Sequence, residues 1–121
     1  MGSASILVVD DNKMMRDTIR GILEPEGYAV VSCEDGPSAL KLAGEKHFEI
    51  VLTDFQMPNM NGTEVVKILR QNQPDTFIVG FSLANKKQAF LEAGANQFIS
   101  KEQLDRDLIP LIKNYNSDSS I

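Results

Sequence analysis

The chain has 121 residues, 42% of them apolar, which is enough to bury the core of one ordinary domain. Its net charge of −5 argues against nucleic acid as a direct partner, because surfaces that bind phosphate backbones are usually basic. No apolar stretch approaches the length of a membrane span, and the N-terminus lacks a signal-peptide core. The single cysteine, Cys33, excludes an intrachain disulfide. We therefore expect a cytoplasmic protein.

Strand-like and helix-like patterns alternate along the chain. Short apolar runs predict strands near 5–9, 29–33, 49–53, 77–81 and 96–100. Helical periodicity predicts helices near 13–25, 37–46, 62–72, 86–92 and 103–114. This alternation predicts an α/β fold with a parallel sheet, right-handed crossovers and helices on both faces.

The predicted domain spans residues 5–113, with residues 1–4 as an N-terminal extension and residues 114–121 as a polar tail or the start of a linker. Pro110 lies inside the last predicted helix, where proline costs about 3 kcal/mol. We therefore expect that helix to be kinked or to begin later. Lys86 and Lys87 are interpreted as a solvated face.

Carboxylates follow two of the buried strands. Asp10 and Asp11 close the first apolar run, and Asp54 closes the run that begins at Ile50. Because ligands bind at the carboxyl ends of strands in open α/β sheets, these acids are expected at one edge, where they would repel one another without a cation. Mg²⁺, or Mn²⁺, suits such a cluster because both prefer oxygen ligands.

The next two strands end in a hydroxyl and an amine, Ser82 and Lys101. A carboxylate can attack a phosphoryl group to form an aspartyl phosphate, a reaction that depends mainly on neutralising charge. The chain offers each part once: Asp54 as acceptor, Asp10 and Asp11 as metal acids, Ser82 as hydroxyl and Lys101 as cation.

These residues carry a resemblance to the response-regulator receiver domains of two-component signalling, in particular to the single-domain regulators of the chemotaxis type. The matching segments are Ile6-Leu-Val-Val-Asp-Asp11, Asp54-Phe-Gln-Met-Pro-Asn-Met-Asn-Gly62, Phe81-Ser82, Glu92-Ala-Gly-Ala95 and Phe98-Ile-Ser-Lys101. The Asp-x-x-Met-Pro-x-Met-x-Gly run is the most specific of them, and the match covers residues 5–113.

The resemblance implies a flavodoxin-like (βα)5 doubly wound sandwich whose five-stranded parallel sheet has the order 2-1-3-4-5. It implies that Asp54 accepts the phosphoryl group, and that Ser82 and Lys101 contact it. Asp11, Asp54 and the backbone carbonyl of Gln56 would ligate Mg²⁺, with Asp10 assisting, often through water. The remaining implied role is that of Phe98, the family's switch aromatic, which turns inward when the Ser82 hydroxyl moves toward phosphate.

The same resemblance implies the partners. A phosphohistidine on a sensor histidine kinase or a histidine phosphotransfer domain would supply the phosphoryl group, and a downstream protein would read the result. We expect a monomer or a dimer formed on phosphorylation, with no direct nucleic-acid or membrane partner. The domain would catalyse only its own phosphoryl transfer and hydrolysis, and would not act on a separate substrate.

Four features depart from the family pattern. Glu102 follows Lys101 where the family usually has proline and a cis bond, and Leu83 follows Ser82 where a small residue is usual. The spans of 28 residues from Asp54 to Ser82 and 19 residues from Ser82 to Lys101 are both short. Since a non-proline cis bond costs about 2.5–4 kcal/mol, the peptide between Lys101 and Glu102 is predicted to be trans.

The sequence also fits other interpretations. The chain could be a degenerate receiver that acts as a constitutive interaction module, and Ser82 could simply cap the fourth helix, although Asn85 is the better cap. Phe98 could be ordinary packing. A phosphatase of the aspartyl-phosphate type would need an acid where Gln56 stands, and a flavin phosphate would be repelled by the acids after the first strand.

Overall fold

The computed structural model describes the backbone of residues 4–119 and the side chains of residues 4–115. Five strands form one parallel sheet of order β2-β1-β3-β4-β5. The strands are β1 Ser5–Val9, β2 Ala29–Cys33, β3 Ile50–Asp54, β4 Phe77–Ser82 and β5 Gln97–Ser100. The helices are α1 Lys13–Leu23, α2 Gly36–Glu45, α3 Gly62–Asn72, α4 Lys87–Ala93 and α5 Leu104–Ser119. The predicted doubly wound α/β fold and its strand order are confirmed.

The alternation of side chains along the central strands divides the core into two layers. Leu7 and Val9 of β1 face α2, α3 and α4, whereas Ile6 and Val8 face α1 and α5. All five residues of β3 are buried, as a strand covered on both faces requires. The continuous apolar runs of the sequence therefore mark strands in the middle of the sheet.

Helix starts follow local capping chemistry. The Asn12 side chain accepts a hydrogen bond from the Met15 N–H at the start of α1, at 3.0 Å. A reciprocal capping box between Asn61 and Glu64 opens α3, next to the end of β3. These caps fix where the helices leave the sheet edge that carries the predicted site.

The last helix is longer than the sequence pattern predicts. α5 begins at Leu104, one residue after the predicted start, and runs to Ser119, five residues past the predicted end, with Pro110 in its interior. The Tyr115 ring stacks on Phe77 of β4 with centroids 4.4 Å apart. This tertiary contact accounts for helix in the segment predicted as a polar tail. Residues 1–3 of the predicted N-terminal extension, and residues 120–121, lie outside the described residues.

No helix within residues 4–119 is long and apolar enough to cross a membrane.

Candidate functional site

Asp10 lies at the carboxyl end of β1 and is completely buried. Its Oδ1 accepts a hydrogen bond from the Asn12 N–H at 2.8 Å, and its carbonyl accepts one from the Arg16 guanidinium at 2.8 Å. Its Oδ2 is buried and has no hydrogen-bond partner of suitable geometry. One carboxylate oxygen of Asp10 is therefore fixed by the turn into α1, and the other is left for a cation.

Asp54 is the last residue of β3, and only 5% of its surface is exposed. Its Oδ1 accepts a hydrogen bond from the Phe55 N–H at 2.8 Å. The Thr53 hydroxyl donates to the Asp54 carbonyl oxygen at 3.0 Å. Both the carboxylate and the backbone of Asp54 are thus held by neighbouring groups.

The Lys101 side chain connects the two buried acids. Its Nζ lies 3.0 Å from Asp10 Oδ2 and 3.2 Å from Asp54 Oδ1, and only 12% of the side chain is exposed. The ammonium also lies over the Phe81 ring, 5.4 Å from its centroid. The peptide between Lys101 and Glu102 is trans, as predicted, since residues 4–119 contain no cis peptide bond.

Burial and charge perturb the ionisation of this group. Burial, followed by the negative charge of Asp10, raises the pKa of Asp54, and the opposing influence of Lys101 does not cancel this. Burial lowers the pKa of Lys101, but hydrogen bonding and charge from Asp10 and Asp54 outweigh it, so the net pKa is raised. Lys101 is therefore a cation at neutral pH, whereas Asp54 resists ionisation more than an exposed aspartate does.

The three acids form a cluster that fits a divalent cation. Asp10, Asp11 and Asp54 each offer a carboxylate oxygen, and these atoms lie within 4.8 Å of one another. Asp10 and Asp54 are buried and Asp11 is exposed, so the cluster is open on one side. Asp10 Oδ2 is buried and has the Lys101 ammonium as an ion-pair partner but no hydrogen-bond partner, and the all-oxygen donor set matches the preference of Mg²⁺.

An open cleft lies over the cluster. It is lined by Asp11, Asn12, Asp54, Gln56, Ser82, Leu83, Ala84 and Lys101. Ser82 is buried, and its hydroxyl oxygen accepts a hydrogen bond from the Ala84 N–H at 3.2 Å. The hydroxyl therefore organises its own loop and does not cap α4, whose first N–H bonds to Asn85 Oδ1 at 3.2 Å. Leu83 is 71% exposed.

Among the predicted site residues, Asp10 lies buried beneath the cleft beside Lys101, whereas Phe98 lies outside the cleft. Phe98 is half-buried in β5, and its ring centroid lies 5.9 Å from that of Phe90 in α4. Phe90 in turn meets the Phe55 ring edge-on at 6.1 Å. Phe98 thus lies at the end of an aromatic row that begins beside Asp54, and its role as a switch stays a prediction.

Two contacts near Asp54 were not predicted from the sequence. Lys86 is half-buried with its ammonium 4.5 Å from the centroid of the Phe55 ring, so the interpretation of this lysine as part of a solvated face is wrong. Gly62, at the start of α3, donates its N–H to the Phe55 carbonyl at 2.7 Å. The glycine in the 54–62 motif was the available signal for a close approach of backbone at this point.

The chain is similar to known proteins over most of its length. The family model for the response regulator receiver domain matches residues 6–113. The polar-differentiation response regulator DivK of Brucella ovis is 29% identical over 120 residues, covering 95% of this chain and 98% of DivK.

Solved structures of receiver proteins share the fold over nearly the whole chain. A CheY-like receiver domain protein from Methanospirillum hungatei aligns with a TM-score of 0.91 at 29% identity, covering 98% of both chains. The response regulator TrrA of Thermotoga maritima, solved in complex with Mg²⁺-BeF, aligns with a TM-score of 0.86 at 27% identity, covering 92% of this chain and 97% of TrrA. The chain belongs to the response regulator receiver domain family of two-component signalling.

Proposed function

We propose that this receiver domain carries signal as a phosphoryl group on Asp54, transferred in a reaction that requires Mg²⁺ or Mn²⁺. The observation that carries the proposal is the position of the Lys101 ammonium, 3.2 Å from Asp54 and 3.0 Å from Asp10, at the base of an open cleft. Asp54, Asp10 and Lys101 thus lie together in a site that is largely shielded from solvent. Electrostatic interactions are stronger there than in bulk water.

The metal would be held by the carboxylates of Asp10, Asp11 and Asp54, with the backbone carbonyl of Gln56 as a further oxygen ligand. When bound, it supplies positive charge that offsets the charge of the phosphoryl oxygens. The bound Mg²⁺-BeF in the similar regulator TrrA supports this assignment.

Asp54 would attack through Oδ2, because Oδ1 is already held by the Phe55 N–H and by Lys101. In the transfer, a bond forms between this oxygen and phosphorus while the bond from phosphorus to the donor imidazole nitrogen breaks, and that nitrogen keeps the electron pair. Lys101 stays fully charged and can bond a phosphoryl oxygen. The Ser82 hydroxyl accepts from Ala84 and so keeps its own proton available to donate to phosphate.

A sensor histidine kinase or a histidine phosphotransfer domain is the proposed donor, and a downstream protein the proposed reader. The chemistry is confined to the domain itself, since transfer and hydrolysis both take place at Asp54. Membership of the receiver family and the open side of the cleft support a protein donor that docks over the site. We place this exchange in the cytoplasm, where the kinase domains act.

The test is phosphorylation by acetyl phosphate, followed by intact-protein mass spectrometry. Wild type with Mg²⁺ should gain the mass of one phosphoryl group, and EDTA should prevent the gain. Asp54→Asn should gain nothing, whereas Asp17→Asn, which removes an exposed acid of α1, should behave as wild type. Phosphate on Asp54→Asn would disprove the acceptor. A wild type that stays unmodified with both acetyl phosphate and phosphohistidine donors would favour the degenerate receiver.

A further inference from the structure

The backbone path after Lys101 differs from what the family pattern implies. The family pattern has proline and a cis bond after this lysine, but here Glu102 follows through a trans peptide. Lys101 nevertheless reaches Asp10 and Asp54 with both distances at or below 3.2 Å. The two ion pairs hold the ammonium, and the backbone conformation that presents Lys101 to them must have a cause other than a cis peptide.

A single turn of 3-10 helix, Lys101–Gln103, begins directly at the end of β5. Ser100 is its N-cap, with extended φ and ψ of −69° and 137°, and its hydroxyl oxygen accepts a hydrogen bond from the Glu102 N–H at 3.3 Å. The Leu104 N–H closes the turn on the Lys101 carbonyl. Leu104, the first residue of α5, is buried in the core layer between the sheet and helices α1 and α5. Its burial anchors the C-terminal end of the turn.

The Ser100–Glu102 hydrogen bond exists only because of the departure from the family pattern. Proline has no N–H, so a proline after Lys101 could not donate to the Ser100 hydroxyl. Ser100 also pairs in register with Ser82 of β4, so its cap ties the turn to the strand that carries the phosphate-contacting hydroxyl. Glu102 in place of proline therefore has two consequences: the peptide after Lys101 is trans, and the Glu102 N–H is available to donate to the Ser100 hydroxyl.

We infer that Ser100 is a positioning residue, whose hydroxyl caps the turn at Lys101 and thereby directs the lysine ammonium at Asp54. The consequence for phosphoryl transfer rests on the proposed function. The placement of Lys101 itself does not, because it can be observed in the unphosphorylated protein.

The first experiment measures that placement. The Lys101 ammonium lies over the Phe81 ring, 5.4 Å from its centroid, so the ring current should shift the Lys101 ε-methylene NMR signals upfield. Ser100→Ala should lose most of this shift, and Ser100→Thr, which keeps a capping hydroxyl, should retain it. If Ser100→Ala keeps the wild-type shift, the inference is wrong, whatever happens at Asp54.

The second experiment is a double-mutant cycle on the rate of phosphorylation by acetyl phosphate. Ser100→Ala should slow the reaction by about three- to tenfold, because a Lys101 ammonium held less firmly at Asp54 stabilises the transferring phosphoryl group less. Ser100→Thr, which keeps a capping hydroxyl, should restore the rate. In a Glu102→Ala background, which keeps the backbone N–H at position 102, Ser100→Ala should slow phosphorylation as much as it does in wild type. In a Glu102→Pro background, which has no N–H at that position, Ser100→Ala should not change the rate.

The outcomes separate the two proposals. An equal effect of Ser100→Ala in both Glu102 backgrounds would show that the hydroxyl acts without the N–H, and would overturn the inference. Failure of Ser100→Thr to rescue either the rate or the ring-current shift would overturn it as well. If wild type is never phosphorylated but the ring-current shifts behave as described, the proposed function fails and the role of Ser100 stands.

Discussion

Gly62 lies so close to the carbonyl oxygen of Asp54 that a Cβ atom at position 62 would overlap it. The Gly62 N–H also donates to the carbonyl of Phe55, the residue that follows Asp54. The backbone at the start of α3 is therefore in direct contact with the backbone of Asp54, the proposed phosphoryl acceptor. Since the overlapping atom belongs to the backbone, no side-chain rotation can relieve it.

Gly62→Ala should therefore destabilise the fold and displace Asp54. The free energy of unfolding in urea should fall by about 1–3 kcal/mol or more, the usual cost of overpacking a core. Gly44→Ala is the matched control, because Gly44 lies in α2 with no atom within 4 Å of its Cβ position. That change should raise stability by about 0.4–1 kcal/mol. Similar effects of the two substitutions would contradict the close approach.

The raised pKa of Asp54 predicts a pH-dependent stability. The folded state holds the Asp54 proton more tightly than the unfolded state, so ionising this carboxyl costs stability above the raised pKa. The cost disappears as the pH falls through that pKa toward the ordinary value of 3.8. In EDTA, Asp54→Asn should therefore be more stable than wild type at pH 7, and the advantage should shrink on acidification.

Urea unfolding at several pH values measures this difference. Asp17→Asn is the control of opposite sign, because hydrogen bonding to Lys13 lowers the pKa of Asp17 in the folded state. That substitution should lose stability at neutral pH and regain it in acid. Millimolar Mg²⁺ should stabilise wild type by an amount that grows with the logarithm of its concentration relative to Kd, and it should leave Asp54→Asn nearly unchanged. An Asp54→Asn variant less stable than wild type at pH 7 in EDTA would contradict the prediction.

The parts of the structure that the sequence predicts are those with local causes. Buried strands appear as short apolar runs, strand ends carry the acids, and the trans peptide at Glu102 follows from the cost of a cis bond. Contacts between distant segments leave no local pattern. The stacking of Tyr115 on Phe77 extends α5 through a segment whose composition is polar, and the position of Lys86 over Phe55 depends on how α4 meets the loop after β3.

Leu83 should slow hydrolysis of the aspartyl phosphate. It lines the cleft and is 71% exposed, so its side chain stands beside the approach to Asp54 without being fixed in the core. Water must enter in line with the bond that breaks, and a large side chain there obstructs it. Leu83→Ala should speed loss of phosphate about two- to tenfold, a barrier lower by about 0.4–1.4 kcal/mol.

The decay of phosphorylated protein, followed by mass spectrometry, measures this rate. Leu91→Ala is the matched control, because Leu91 is also an exposed leucine but lies on α4 away from the residues that line the cleft. Its phosphate lifetime should equal that of wild type. An unchanged or longer lifetime in Leu83→Ala would refute the steric explanation.

Lys86 should stabilise the junction between α4 and the loop that follows Asp54. Its ammonium lies 4.5 Å from the centroid of the Phe55 ring, within the range of a favourable cation–π interaction, and Lys86 is also the N-cap position of α4.

Lys86→Met keeps the length of the side chain and removes the charge, so it should lower the free energy of unfolding by about 0.5–1 kcal/mol. Lys87→Met, at the next position, is exposed and should have a smaller effect. Urea denaturation compares the two substitutions. Repeating the measurement in a Phe55→Leu background isolates the contact, because without the aromatic ring the cost of Lys86→Met should fall, whereas the cost of Lys87→Met should not change. A Lys86→Met effect that persists unchanged in that background would assign the loss to helix capping or net charge and not to the ring.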